Sequence, residues 1–128
     1  MRIPRRTAAL ATTAAFLVGT GSLATATNAS AATTYTCHYS YDIPKEYEYA
    51  GYYSGNSYVP TYGDWSTPAI EAQCLLNRLH YGLAVDGIYG QHTHDAVQNF
   101  QASYGIPADG YVGPQTWPLL RVAAYHNW

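Results

Sequence analysis

The sequence predicts an all-α fold, a small three-helix bundle preceded by an irregular tyrosine-rich segment, and three observations carry that prediction. Apolar residues recur at helical spacing in three stretches between residues 66 and 124, and glycine-containing turns separate them. Residues 32–65 hold nine of the fourteen tyrosines, scattered among Gly, Ser, Asn and Pro without a helical or strand period. The change of composition near Asp64-Trp65-Ser66 divides an extension, 32–65, from a helical domain, 66–124.

The first 31 residues read as a signal peptide. Arg2, Arg5 and Arg6 form a positive start, Ala8 to Val18 is mostly apolar, and Ala29-Ser30-Ala31 supplies an A-x-A cleavage signal. Gly19, Thr20, Gly21 and Ser22 interrupt the apolar run short of the ~20 residues a spanning helix needs. The pair Arg5-Arg6 is compatible with the twin-arginine route as well as the general one, so the export route stays open. Cleavage after Ala31 leaves 97 residues, secreted and soluble, with no membrane attachment expected in the mature form.

That remainder carries three cations, Lys45, Arg78 and Arg121, against eight acids, a formal charge of −5. Such a balance speaks against nucleic acid as a partner. A domain of this size has a core only just adequate to fold it, so a staple is expected. Cys37 and Cys74 are the two cysteines, and in an oxidising exported compartment they are expected to bond.

Helix 1 is expected to start after Ser66 or Thr67 as N-cap, with Pro68 first in the helix and Glu71 in the first turn, and to run to about Tyr81 before Gly82. Ala69, Ala72, Leu76 and Leu79 share its buried face. Helix 2 presents Ala96, Val97, Phe100 and Tyr104 on one face, with Thr93 as N-cap and Gly105 as its stop. Helix 3 covers about Trp117 to Ala124, capped by Thr116; Pro118 is tolerable only in a first turn.

The sharpest signal is a repeat offset by 23 residues: Asp86-Gly87-Ile88-Tyr89-Gly90-Gln91-His92-Thr93, then Asp109-Gly110-Tyr111-Val112-Gly113-Pro114-Gln115-Thr116. Both copies read D-G-x-x-G-x-x-T. Asp-Gly is turn chemistry, and a threonine placed there can cap a following helix. Together with Glu71, Gln73, Leu75-Leu76-Asn77, Ala96-Val97, Phe100-Gln101 and Thr116-Trp117, the repeat resembles the peptidoglycan-binding domain type 1 family over about residues 66–121. The resemblance implies a three-helix wall-binding module, of a kind commonly attached to cell-wall enzymes. Ala69 and Ala72 stand where that family usually has larger aliphatics, which leaves room for tyrosines of the extension to pack in.

A peptidoglycan site should pair aromatic faces with amide, hydroxyl or cationic donors. Tyr89, Tyr104, Tyr111, Trp117, Gln101 and Arg78 are the candidates, although Tyr104 and Trp117 suit the core equally well. Asp86, Gly87, Gly90, Thr93 and Asp109, Gly110, Gly113, Thr116 are assigned mainly to structure. His92-Thr93-His94 is an H-x-H pattern, but the two histidines straddle a predicted cap, where consecutive side chains diverge. No metal or other cofactor is therefore expected. Neither G-x-S-x-G nor H-E-x-x-H occurs, so a non-catalytic module is expected. Peptidoglycan is the expected partner. Two alternatives are a secreted interaction or inhibitor protein that uses the tyrosine-rich extension to bind another protein, and a minimal wall hydrolase.

Overall fold

Three helices and one short hairpin make up the fold, as a computed structural model of residues 33–127 shows. The signal-peptide assignment lies outside the described residues. In chain order the elements are β1 (Ser40–Asp42), β2 (Tyr47–Tyr49), α1 (Thr67–Arg78), α2 (Gln91–Ser103) and α3 (Thr116–Tyr125). The fold is thus not purely all-α. Strands β1 and β2 pair antiparallel, with Ser40 opposite Tyr49, Tyr41 opposite Glu48 and Asp42 opposite Tyr47. A two-stranded ribbon this short is marginal alone. It is supported by α3, through an edge contact of Tyr41 with Tyr125 (5.9 Å between centroids) and the Arg121 guanidinium 4.4 Å over the Tyr49 ring. No helix among the described residues is long and apolar enough to cross a membrane.

The interior is built from Leu75, Leu76, Tyr89, Val97, Phe100, Val112, Trp117 and Leu120, packed on the small residues Ala69 and Ala72. Tyr53 of the extension packs on this cluster, its ring 5.1 Å from that of Trp117. A second cluster joins Ile70 and Cys74 to Ala50, Tyr35 and Tyr52. Cys37 and Cys74 are bonded across it. The residues from Thr34 onward accordingly pack as one unit.

Local chemistry explains where the helices begin and end. Ser66 caps α1 by accepting from the Ala69 N–H at 3.1 Å. The helix stops at Arg78, earlier than Tyr81, because the Asn77 side chain pairs with both backbone groups of Leu83 and folds the chain back. The end is a Schellman arrangement: His80 N–H donates to Asn77 O, and Tyr81 N–H to Leu76 O. The left-handed position falls on His80 (φ 71°), a residue the sequence does not mark, rather than at Gly82. The same arrangement ends α2 with the glycine such a position favours, Gly105. Pro118 is the third residue of α3, where a missing N–H is harmless.

Glu71 departs from its expected dipole role. It lies beyond the first turn of α1 and is fully buried, facing the guanidinium of Arg121 from α3.

Candidate functional site

Each Asp-Gly turn is built around a buried glutamine, one helix upstream. Gln73 of α1 directs Nε2 at Asp86 Oδ1 (3.0 Å), Ile88 O (3.0 Å) and Thr93 Oγ1 (3.1 Å), while its Oε1 accepts from Gly87 N–H (2.9 Å). Gln101 of α2 repeats this set on Asp109 Oδ1 (2.9 Å), Tyr111 O (2.9 Å), Thr116 Oγ1 (3.1 Å) and Gly110 N–H (2.8 Å). Thr93 and Thr116 therefore do not cap their helices. The caps are Gly90 and Gln115, and the two hydroxyls turn inward to accept from the glutamines. Gly110 shows why the turn needs glycine: its φ is +83°, and a Cβ there would collide with the His94 ring.

Tyr89 couples the two copies, donating its hydroxyl to Gly110 O at 2.5 Å and stacking on Tyr111 at 5.9 Å. Burial pushes its phenol well above the ordinary tyrosine value. Tyr89, Trp117 and Gln101 are thus interior groups with committed polar atoms, unable to present themselves to a ligand; the Trp117 indole N–H donates to Tyr58 O at 2.7 Å. Arg78 is committed too, 2.8 Å from Glu48 and 4.4 Å from the Tyr39 ring centroid. Of the six candidates, Tyr104 is exposed and Tyr111 half-buried.

The first repeat opens instead onto a groove of about 490 Å³ between the turn and the N-terminal half of α2. Tyr81, Asp86, Ile88, His92, Asp95 and Asn99 line it, and none of the six sequence candidates does. Its chemistry is hydroxyl, amide and carboxylate beside an aliphatic surface. Both carboxylates are held in place: Asp86 Oδ1 also accepts from Ile88 N–H (3.0 Å), and Asp95 Oδ1 accepts from Gln91 Nε2 (2.7 Å). His92 and His94 diverge. His92 faces the groove, whereas His94 packs edgewise against the rings of Tyr62 and Tyr111. Among the described residues no three His, Cys, Asp or Glu side chains converge as metal ligands would.

The groove is hard to read from the sequence because its helical lining, Gln91, His92, Asp95 and Asn99, has the polar composition and spacing of an ordinary solvent-facing helix surface. The signal available is the first repeat itself: Asp86, Gly90 and Thr93 all line the groove, and the Asp86 side chain serves both turn and groove.

Residues 66–120 match the family described as a putative peptidoglycan binding domain. The N-acetylmuramoyl-L-alanine amidase CwlM of Mycobacterium tuberculosis is 40% identical over 58 residues, 45% of this chain and 14% of that protein. A zinc D-Ala-D-Ala carboxypeptidase of Streptomyces albus G is 54% identical over 35 residues, 27% of this chain and 14% of that one. An uncharacterized protein of Kitasatospora aureofaciens is 50% identical over 60 residues, 44% of this chain, so the chain spans about half that relative's length. Among solved structures, a peptidoglycan-binding protein from Clostridioides difficile, crystallised with glutamine hydroxamate, superposes with a TM-score of 0.59 at 30% identity. That alignment covers 67% of this chain and 57% of the other.

Proposed function

We propose that the protein is an exported, non-catalytic module that binds peptidoglycan through the groove beside the first Asp-Gly turn, a reading supported by the match of residues 66–120 to the family described as a putative peptidoglycan binding domain. The observation that carries this reading is the composition of that groove. Hydrogen-bonded amide and carboxylate groups border an aliphatic surface, the mixture of directional polar contacts and apolar area that an N-acetylated sugar or its attached amides would use.

A binding rather than hydrolytic role is supported by how the groove carboxylates are engaged. Asp86 is tied into the turn by two donors and Asp95 is tied to Gln91, so their task in the free protein is to hold the turn and the start of α2. The wall enzymes that share this domain match it over a small fraction of their own length, which fits a detachable module.

Co-sedimentation with purified insoluble peptidoglycan tests the reading. The wild-type protein should partition to the pellet, and Asn99→Ala with Asp95→Ala should leave it in the supernatant while the circular dichroism stays native. Turbidity of the wall suspension should not fall.

A further inference from the structure

Two exposed aromatic residues of the extension each contact a residue that lines the groove, Trp65 pairing with Ile88 and Tyr62 bonding to Gln91, and neither belongs to the buried core. Trp65 pairs with Ile88 as an isolated antiparallel bridge, flanked by Ser66 N–H to Gly87 O (3.0 Å) and Tyr89 N–H to Asp64 O (3.1 Å). Residues opposed in this way put their side chains on one face. The indole of Trp65 therefore lies beside Ile88, which itself lines the groove. Trp65 is 52% exposed and Ile88 45%.

The exposed indole is nevertheless immobilised. Its N–H donates to the Tyr35 hydroxyl at 3.0 Å, and its edge rests on Gly87, where a Cβ would stand 2.5 Å from Nε1. Tyr62, 44% exposed, is fixed from the other direction, donating to Gln91 Oε1 at 2.8 Å. Gln91 lines the groove and holds Asp95. A large aromatic face that is held still and left open gains little from burial, but it supplies a stacking surface whose ordering cost has already been met in folding.

We propose that Trp65, Ile88 and Tyr62 form a sugar-stacking rim that continues the groove onto the extension, so that the site takes a run of consecutive N-acetylated amino-sugar rings. This rests on the peptidoglycan reading and specifies it. Charge disfavours an anionic peptide terminus as occupant, and the exposed aromatic faces favour sugar rings. The groove contributes Asp86 and Asp95, while Lys45, Arg78 and Arg121 are paired with Asp42, Glu48 and Glu71. A peptide carboxylate would meet like charge; a neutral sugar presents hydroxyls and amides to the groove and a C–H face to the indole.

The test is calorimetric titration of the full chain with the disaccharide and the hexasaccharide of N-acetylglucosamine, for wild type, Trp65→Ala and Trp65→Phe, beside sedimentation on whole peptidoglycan. Wild type should bind the hexasaccharide more tightly. Trp65→Ala should weaken the hexasaccharide by about five- to tenfold and leave the disaccharide within about twofold, and Trp65→Phe should keep the hexasaccharide within about threefold of wild type. Equal losses for both lengths, or none for either, would overturn the rim, given native circular dichroism. Sedimentation on whole peptidoglycan without binding of either oligosaccharide would refute the rim alone. Failure of the wild type to sediment would remove the peptidoglycan reading with it.

Discussion

Arg121 and Glu71 meet at 2.9 Å in the interior, fifty residues apart in sequence and both without exposed side-chain surface. Every hydrogen-bonding position of the pair is used. Glu71 accepts from the backbone N–H groups of Ala50, Tyr52 and Tyr53 as well as from Arg121. Arg121 donates in addition to Glu48 O, Tyr53 O, Gly55 O and Asn56 Oδ1. An ion pair between two helices has thus become the clasp that holds the extension. Taking away one partner leaves a buried charge and several buried backbone groups without bonds, so Arg121→Ala or Glu71→Ala should cost about 3–5 kcal/mol. Urea denaturation monitored by circular dichroism measures it; a loss under about 1 kcal/mol would mean that the extension is held by other contacts.

The disulfide works beside this clasp. Cys37 and Cys74 close a loop spanning 37 residues, worth roughly 4 kcal/mol in the chain-entropy description. Reduced protein should show a midpoint lower by the corresponding amount, and the mass of non-reduced peptides should show 37 joined to 74. Equal denaturation midpoints with and without reductant would contradict this.

The two glutamines are structural keys, and their variants should separate stability from binding. Gln101→Ala strands the Gly110 N–H, Tyr111 O and Thr116 hydroxyl in the interior, at a cost of about 3 kcal/mol. Sedimentation on peptidoglycan below the melting temperature should be unchanged, because Gln101 does not line the groove. Lost binding by a folded Gln101→Ala protein would reinstate that amide as a ligand contact.

How far these features were legible depended on sequence distance. The D-G-x-x-G-x-x-T repeat announces the turns, and the helical spacing of Val97 and Phe100 announces the core, because each is a local pattern. The partners Gln73 and Gln101 lie 13 and 8 residues before their aspartates, so the repeat period does not reveal them. Arg121, Glu71 and the tyrosines meet only after three helices have packed. The hairpin leaves no periodic trace, because each strand is three residues long, too few to register as a period. Aromatic character alone does not separate a ligand surface from a core: Tyr89 and Trp117 are both fully buried in the main cluster.

Glu48 should make stability depend on pH. Burial pushes its carboxyl above the ordinary value, partly offset by Arg78. A carboxyl raised by folding favours the folded state while protonated, below its unfolded value of 4.5, and that contribution is lost as pH rises through the folded value. Glu48→Gln carries no such titration. The stability difference between Glu48→Gln and wild type should therefore shift in favour of the variant from pH 4 to pH 7, as followed by melting temperature. A constant difference across that range would contradict the assignment.

Short-range contact rather than long-range attraction should retain the protein on the wall. The segment after residue 31 is acidic, and its groove holds Asp86 and Asp95, so raising salt removes no favourable steering. The bound fraction should change by less than about twofold between low and moderate salt. Release by moderate salt would assign retention to charge.

The central claim, that the groove beside the first Asp-Gly turn is the peptidoglycan site, is tested most directly by amide chemical-shift mapping during titration with soluble peptidoglycan fragments. Saturable shifts should concentrate at Leu83, Asp86, Ile88, Gln91, Asp95 and Asn99, with the second repeat around Asp109 unmoved. Shifts confined to the shallow tyrosine pocket of Tyr49, Tyr52 and Tyr53, with a silent groove, would contradict it.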